Sequence, residues 1–286
     1  MFLAEEDAKY LTLNLARTGG TSLSKMLSDT FKAGEVIDEY GPSASYDYLG
    51  HLESENFLAY VRGLDKERLA KTKLFLGHLP FIERARLPFP AKWIVFFRNP
   101  ILKLISGFSY ASLQSKKIQK DFFDFGLHIS CSWESSVGFI NPMSQVLMRK
   151  KHVSYLDAKN IESLIRSIDF IGINEAFEWS CGRLLRSINK VPSQQSYHLN
   201  KSTHVGFAGI HPATLYAIKV KNACDALLYN EVCVFLNRER SAENLPPLLL
   251  CDTVSQGPFS SGDYHPDLSS LSAFDGVFDS AWLSSA

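Results

Sequence analysis

The sequence predicts an α/β protein in three layers, with a central, mainly parallel sheet between helices, and two stretches carry that prediction. Residues 11–15 alternate leucine with threonine and asparagine, and pass through a pair of glycines into a run where Ser22, Leu23, Met26, Leu27 and Phe31 recur at helical spacing. Residues 93–97, Trp-Ile-Val-Phe-Phe, are continuously apolar and rich in β-formers, as a strand covered on both faces must be. Asn99 and Pro100 then supply an N-cap and a first-turn proline for a second helix. Strand followed directly by helix is the order from which parallel sheets are built. At 286 residues, with 45% hydrophobic and 21% charged residues, the chain is long enough for one large domain with a sizeable core.

Between the first strand and its helix lies Ala16-Arg17-Thr18-Gly19-Gly20-Thr21-Ser22. A glycine loop opening a helix aims backbone N–H groups and the positive end of the helix dipole at one point, which makes an anion cradle. Arg17 adds a fixed charge, and Thr18, Thr21 and Ser22 add hydroxyls. The spelling is not that of a nucleotide P-loop, which needs Gly-Lys followed by Ser or Thr. Here the cation precedes the glycines, and no aspartate ends an apolar strand to hold a metal. Alone, such a loop reads equally well as a tight turn with satisfied N–H groups.

Further along, a loop is expected near Gly41-Pro42 and a helix over residues 56–69. Residues 73–77 form a short strand that delivers His78 to the region where ligands gather in α/β folds, although a histidine there serves as readily to bond a loop carbonyl. Arg98 stands at the end of the 93–97 strand, and the helix after it turns Ile101, Leu104, Ile105 and Phe108 inward. Arg98, Lys103 and Ser106 are then placed to reach one phosphate; the alternative is that Arg98 pairs with a carboxylate. Lys116, Lys117 and Lys120 read as a solvated turn before they read as an acceptor contact. Asn141-Pro142 opens a helix that runs to Arg149. Residues 170–173 form a strand, followed by a helix over 175–188 with Phe177, Cys181, Leu184, Leu185 and Ile188 inward. Residues 192–209 are polar and unperiodic, the character of a functional loop. Helical periodicity returns over 212–236, with Leu215, Ile218, Ala226, Leu228 and Phe235 inward and Asp225 and Tyr229 on one face. The composition changes after Pro246-Pro247, which sets a domain at 1–245 and a C-terminal tail at 246–286 that is expected to be partly disordered.

Composition excludes some classes of partner. Lysine plus arginine balance aspartate plus glutamate at 30 each, so no global field draws the protein onto nucleic acid or an acidic membrane. The five cysteines form no Cys-x-x-Cys pair and no metal-site spacing, and read as reduced, mostly buried thiols. The N-terminus lacks the basic n-region of a signal peptide, and no run of about 18 apolar residues exists to span a membrane. The expected setting is cytoplasmic, or lumenal if the chain is a piece of a longer protein.

These residues carry a family resemblance. Arg17-Thr18-Gly19-Gly20-Thr21-Ser22 is similar to the 5′-phosphosulfate-binding loop of sulfotransferases that use 3′-phosphoadenosine 5′-phosphosulfate (PAPS). Arg98-Asn99-Pro100 with Ser106 resembles their 3′-phosphate-binding segment, Arg-Asp-Pro followed by a serine at this spacing. Leu76-Gly77-His78-Leu79-Pro80-Phe81 is similar to the Gly-His segment of the carbohydrate branch that includes the uronyl 2-O-sulfotransferases, where the histidine is the base. Phe170-Ile171-Gly172-Ile173-Asn174-Glu175 resembles the later Gly-x-x-Glu strand, Asn200-Lys201-Ser202 the Asn-Lys-Ser loop, and Asp225-Ala226-Leu227-Leu228-Tyr229 the closing helix. Asn141 and Gln145 fall in a segment that lies near the acceptor cleft in that family. The landmarks keep family order over most of residues 10–236.

The resemblance implies a P-loop-NTPase-like sulfotransferase fold and transfer of a sulfuryl group from PAPS to a hydroxyl acceptor, a saccharide or glycoconjugate, leaving adenosine 3′,5′-bisphosphate and requiring no metal. It gives His78 and Arg17 catalytic roles and assigns the cofactor to Arg17, Thr18, Gly19, Gly20, Thr21, Ser22, Arg98, Ser106, Lys201 and Ser202. Two positions depart from the pattern: the family loop carries lysine where this chain has Arg17, and the carbohydrate branch has arginine where this one has Lys103. Charge is kept at both, but a planar guanidinium fork is not equivalent to a lysine point charge. A catalytically silent nucleotide-binding protein therefore stays open, as does a P-loop-type kinase, which shares the strand, loop and helix.

Overall fold

Among the described residues five strands form: β1 (Lys9–Leu13), β3 (Leu74–Phe75), β4 (Ala91–Phe97) and β5 (Phe170–Ile173) overlap the stretches expected from their apolar patterns, with β1 beginning two residues early and β3 shorter, while β2 (Val36–Ile37) falls where no strand was expected. All pair in parallel, in the order β2-β3-β1-β4-β5. The computed structural model describes residues 7–40, 45–46, 51–114, 140–153, 155–191 and 212–251, which belong to one compact unit spanning 1–254. The helices that follow in chain order are α1 (Gly20–Thr30), α2 (Ser54–Gly63), α3 (Lys66–Lys71), α4 (Pro100–Gln114), α5 (Pro142–Met148), α6 (Ile161–Arg166), α7 (Phe177–Ser187), α8 (Pro212–Lys221) and α9 (Ala223–Ala242).

Side chains alternate across the pleat, so the sheet feeds two separate cores. Leu11, Leu13, Phe75, Trp93, Val95, Phe97, Ile171 and Ile173 join the larger one, which is completed by Phe57 and Val61 of α2, Ile101, Leu104 and Ile105 of α4, Met143 of α5, Ile165 of α6, and Leu228 and Val232 of α9. Leu74, Ile94, Phe96 and Phe170 point the other way, onto Leu23, Met26 and Leu27 of α1 and Cys181, Leu184 and Leu185 of α7. Helices on both faces of an all-parallel sheet make the three layers expected. The register sets Phe96 beside Gly172, and a Cβ at Gly172 would lie 2.5–2.7 Å from three carbons of the Phe96 ring. Only glycine lets that ring lie across β5.

Several boundaries differ from expectation, each for a local reason. The helix expected over 56–69 is two, because Gly63 ends α2 and Asp65 begins α3 by accepting the Arg68 N–H at 2.6 Å. The stretch 212–236 is also two helices, separated at Asn222, so the inward face is reset: Val232, Cys233 and Leu236 are buried and Phe235 is 37% exposed. The helix expected from 175 opens with a 3₁₀ turn over Asn174–Ala176. Residues 246–251 are fixed to α9, so the compact unit runs past the boundary expected at 245. The Asn237 amide exchanges two hydrogen bonds with the Leu248 backbone, and the Asn230 amide does the same with Cys251. Lys9, in β1, is buried, and its ammonium donates at 2.7 Å to the carbonyls of Leu69 and Thr72 at the end of α3. Among the described residues no helix is long and apolar enough to cross a membrane. Cys181, Cys224, Cys233 and Cys251 are buried and form no disulfide among the described residues, while Cys131 lies outside them.

Candidate functional site at the carboxyl edge of the sheet

Because every strand is parallel, their carboxyl ends share one edge. β1 and β4 are neighbours there, yet α1 packs on one face and α4 on the other. Such a divergence of the two connections opens a crevice just outside the strand ends. The loop after β1 and the Arg98 segment after β4 border it.

The loop is shaped by two positive φ angles, 65° at Arg17 and 92° at Gly19. A Cβ at Gly19 would stand 2.7 Å from Asn174 Oδ1, so a glycine is needed for the loop to lie against the end of β5. Thr18 is buried, and its hydroxyl donates to the Leu15 carbonyl at 2.7 Å, which ties the loop back to its own strand. Gly19 caps α1 without a side-chain hydrogen bond, leaving the first turn of that helix directed at the crevice. Ser22 is buried in this turn and Thr21 is exposed on it.

The two sequence segments meet directly. Arg17 Nε and Nη2 donate to Ser106 Oγ at 3.2 and 3.0 Å. Arg98 Nη1 donates to the Arg17 carbonyl at 2.9 Å. Asn99 caps α4 as its sequence predicts, its Oδ1 accepting the N–H groups of Ile101 and Leu102 at 3.0 and 3.3 Å. The Asn99 N–H in turn donates to Glu175 Oε1 at 3.0 Å. Burial lowers the pKa of Arg98, the Glu175 carboxylate opposes that shift, and the neighbouring Arg17 charge adds to it. Although Glu175 keeps an exposed edge, burial raises its pKa, against the pull of the Asn99 N–H and the Arg98 charge. The outcome is two adjacent guanidinium groups with the Glu175 carboxylate beside them.

His78 is delivered to the same edge. Leu13 and His78 form an antiparallel bridge, and the Asn14 N–H donates to the Gly77 carbonyl at 3.2 Å, so the histidine follows β3 beside the start of the loop. The His78 side chain is exposed, and its ring stands edge-on to buried His51 with centroids 5.4 Å apart. The Leu52 N–H donates to the His78 carbonyl at 2.7 Å, which holds the two segments together. His51 also lines a pocket of about 220 Å³ with Leu52, Pro80, Phe81, Gln145 and Arg149.

No protein-family model and no curated protein matches the chain.

Of the residues singled out by sequence, Arg17, Thr18, Gly19, Gly20, Thr21 and Ser22 lie in the loop and first turn after β1, and Arg98 and Ser106 in the β4–α4 segment that Arg17 joins to that loop, with His78 beside the loop's first residues. Lys201 and Ser202 lie outside the described residues, as do Lys116, Lys117, Lys120 and the whole of 192–209. Lys103 turns into the interior, toward Asp225, rather than out with Arg98. It is buried, with Asp225 as the charge that opposes its desolvation, and its pKa falls to about 8. Asn141 is buried as well; its N–H donates to Asn222 Oδ1 at 2.8 Å and its Oδ1 accepts the Asp225 N–H at 3.0 Å, a role inside the fold. Gln145, by contrast, lines the pocket beside His51. Two participants went unremarked in the sequence. Asn14 is buried between β1 and the loop, donates to Ser24 Oγ at 3.1 Å, and keeps its Oδ1 without a hydrogen-bond donor. A polar residue at the end of an apolar strand was the available signal for it. His51 sits in an unperiodic stretch that offers none.

Proposed function

We propose that this chain is a PAPS-dependent sulfotransferase acting on a hydroxyl of a saccharide acceptor, on a P-loop-NTPase-like version of the α/β/α fold. The observation that carries the reading is the junction of the β1 loop with the β4 exit, through Arg17 to Ser106 and Arg98 to the Arg17 carbonyl. Two guanidinium groups, the hydroxyls of Ser22 and Ser106 and a helix N-terminus without a side-chain cap form a donor set suited to an anion with more than one phosphate. When bound, PAPS supplies the activated sulfuryl group and a phosphate leaving group.

The chain's own residues then have three tasks. The loop N–H groups of residues 19–22 and the hydroxyl of Ser22 hold the 5′ end and favour the negative charge that grows there, help that is preorganised because the Thr18 hydroxyl ties the loop to the Leu15 carbonyl and Gly19 lies close against Asn174. Arg98 and Ser106 hold the 3′ end. His78, exposed at the exit of β3, takes the proton of the acceptor hydroxyl.

The test is calorimetry with adenosine 3′,5′-bisphosphate in the presence of a chelator, followed by transfer of labelled sulfate from PAPS to a panel of saccharides. His78→Ala is expected to slow transfer by about a hundred- to ten-thousand-fold while bisphosphate affinity stays unchanged. Arg98→Ala is expected to weaken the bisphosphate first. Binding of ATP with magnesium in place of the bisphosphate would turn the assignment to a kinase, and binding without transfer to a silent nucleotide-binding protein.

A further inference from the structure

We infer that Arg17 reads the 3′-phosphate end of the nucleotide and sets the preference for 3′-phosphorylated ligands, an assignment that rests on the function proposed above. A cation just before a Gly-Gly loop would by position alone serve the 5′ end, because the loop and the N-terminus of α1 converge there. The side chain goes elsewhere. Arg17 has a left-handed backbone, φ 65°, rare for a non-glycine residue. From there its stem runs over α4, with Cγ 3.8 Å from the Cβ position of Gly107, and both Nε and Nη2 close on Ser106 Oγ. Arg98 fixes the backbone at this point through the Arg17 carbonyl, and the Arg17 charge in turn lowers the pKa of Arg98. Two guanidinium groups and one hydroxyl are thus gathered on the β4–α4 side of the crevice.

That arrangement answers the departure from lysine seen in the sequence. A lysine ammonium is a compact point charge and cannot present two N–H groups in a plane to one hydroxyl and still offer a third face to a phosphate. Arginine can, and two arginines flanking a serine hold a phosphate dianion by charge-assisted, bidentate contacts. The 5′ end is left to the loop N–H groups and Ser22. Arg17 is then a specificity-determining residue, and ligand choice separates the two ends of the nucleotide.

The experiment is calorimetry on the full chain with adenosine 3′,5′-bisphosphate and with adenosine 5′-monophosphate, for wild type, Arg17→Lys, Arg17→Ala and Ser106→Ala. Wild type is expected to favour the bisphosphate. Each variant is expected to lose roughly ten- to a hundred-fold in bisphosphate affinity while its affinity for the monophosphate stays within about twofold, so that the preference collapses. Ser106→Ala reaches the same result without touching the strained loop, which guards against an Arg17 variant that folds poorly. Equal losses for both ligands would place Arg17 at the 5′ end and overturn the inference. So would bisphosphate binding that no Arg17 variant changes. A wild-type chain that binds neither ligand would instead remove the proposed function itself, and with it this role for Arg17.

Discussion

A single methyl group at position 172 tests how closely the sheet is packed. The Cβ of an alanine there would fall 2.5–2.7 Å from the Phe96 ring, which is itself buried and packed against Phe170 and Phe177 at centroid distances of 6.2 and 5.6 Å. Any movement of the ring would disturb those two contacts. Gly172→Ala is expected to destabilise the protein by about 1–3 kcal/mol, read from the shift in urea midpoint, and Phe96→Leu in the same chain should recover part of that loss. An unchanged midpoint in Gly172→Ala would mean that the ring is free to turn aside. Sequence reading finds both residues as strand positions, but not their mutual dependence. Register between strands whose partners stand 76 residues apart in the chain comes from long-range packing, which no local pattern contains.

The best-defined junction between elements is the one at Asp225. This carboxylate, at the start of α9, accepts from the backbone N–H groups of Met143 and Ser144 at 2.9 and 2.7 Å and from the Ser144 hydroxyl at 2.6 Å, so it caps α5 from 81 or 82 residues away. Burial raises its pKa, against the pull of the Lys103 charge and of those three donors. Asp225→Ala removes the cap and leaves Lys103 buried without its counter-charge. A loss of about 3–5 kcal/mol is expected in urea denaturation, against about 1 kcal/mol for an ordinary surface cap. A loss at the lower figure would show that the charge pairing adds nothing beyond an ordinary cap. The sequence resemblance picked out Asp225, its four-residue spacing placed it on one face with Tyr229, and both are buried; the residue it faces was missed. Lys103 reads as a ligand from spacing alone, because spacing along a helix gives a face and not the element that covers that face.

For the whole molecule, the same lysine makes stability depend on pH. Its folded pKa of about 8 lies below the ordinary 10.5, so between those values the unfolded chain holds more protons and stability rises with pH. Burial pushes the thiols of Cys181, Cys224 and Cys233 up to about 12 from 9.0, which works in the opposite sense above pH 9. Comparing wild type with Lys103→Met cancels the thiols, since both proteins contain them. Between pH 7 and 9 wild type is expected to gain roughly 1 kcal/mol of stability relative to the variant in urea titrations. A difference that is flat with pH would mean that Lys103 stays fully charged over that range. At this scale the architecture was the most legible part of the sequence: strand, loop and helix recur twice with clear periodicity, and the layers follow from it. The crevice was legible in its residues and not in their pairing, since Arg17 crosses to Ser106 on another element. The reciprocal caps have one more effect. α5 begins with Asp225 at its N-terminus, while α9 begins with Asn141 holding the Asp225 N–H, so neither helix start is complete without the other. A break in the exposed stretch 149–152 would divide the chain into two fragments, each carrying one unfinished end and part of a shared sheet. Those fragments are built to complement one another and not to fold alone.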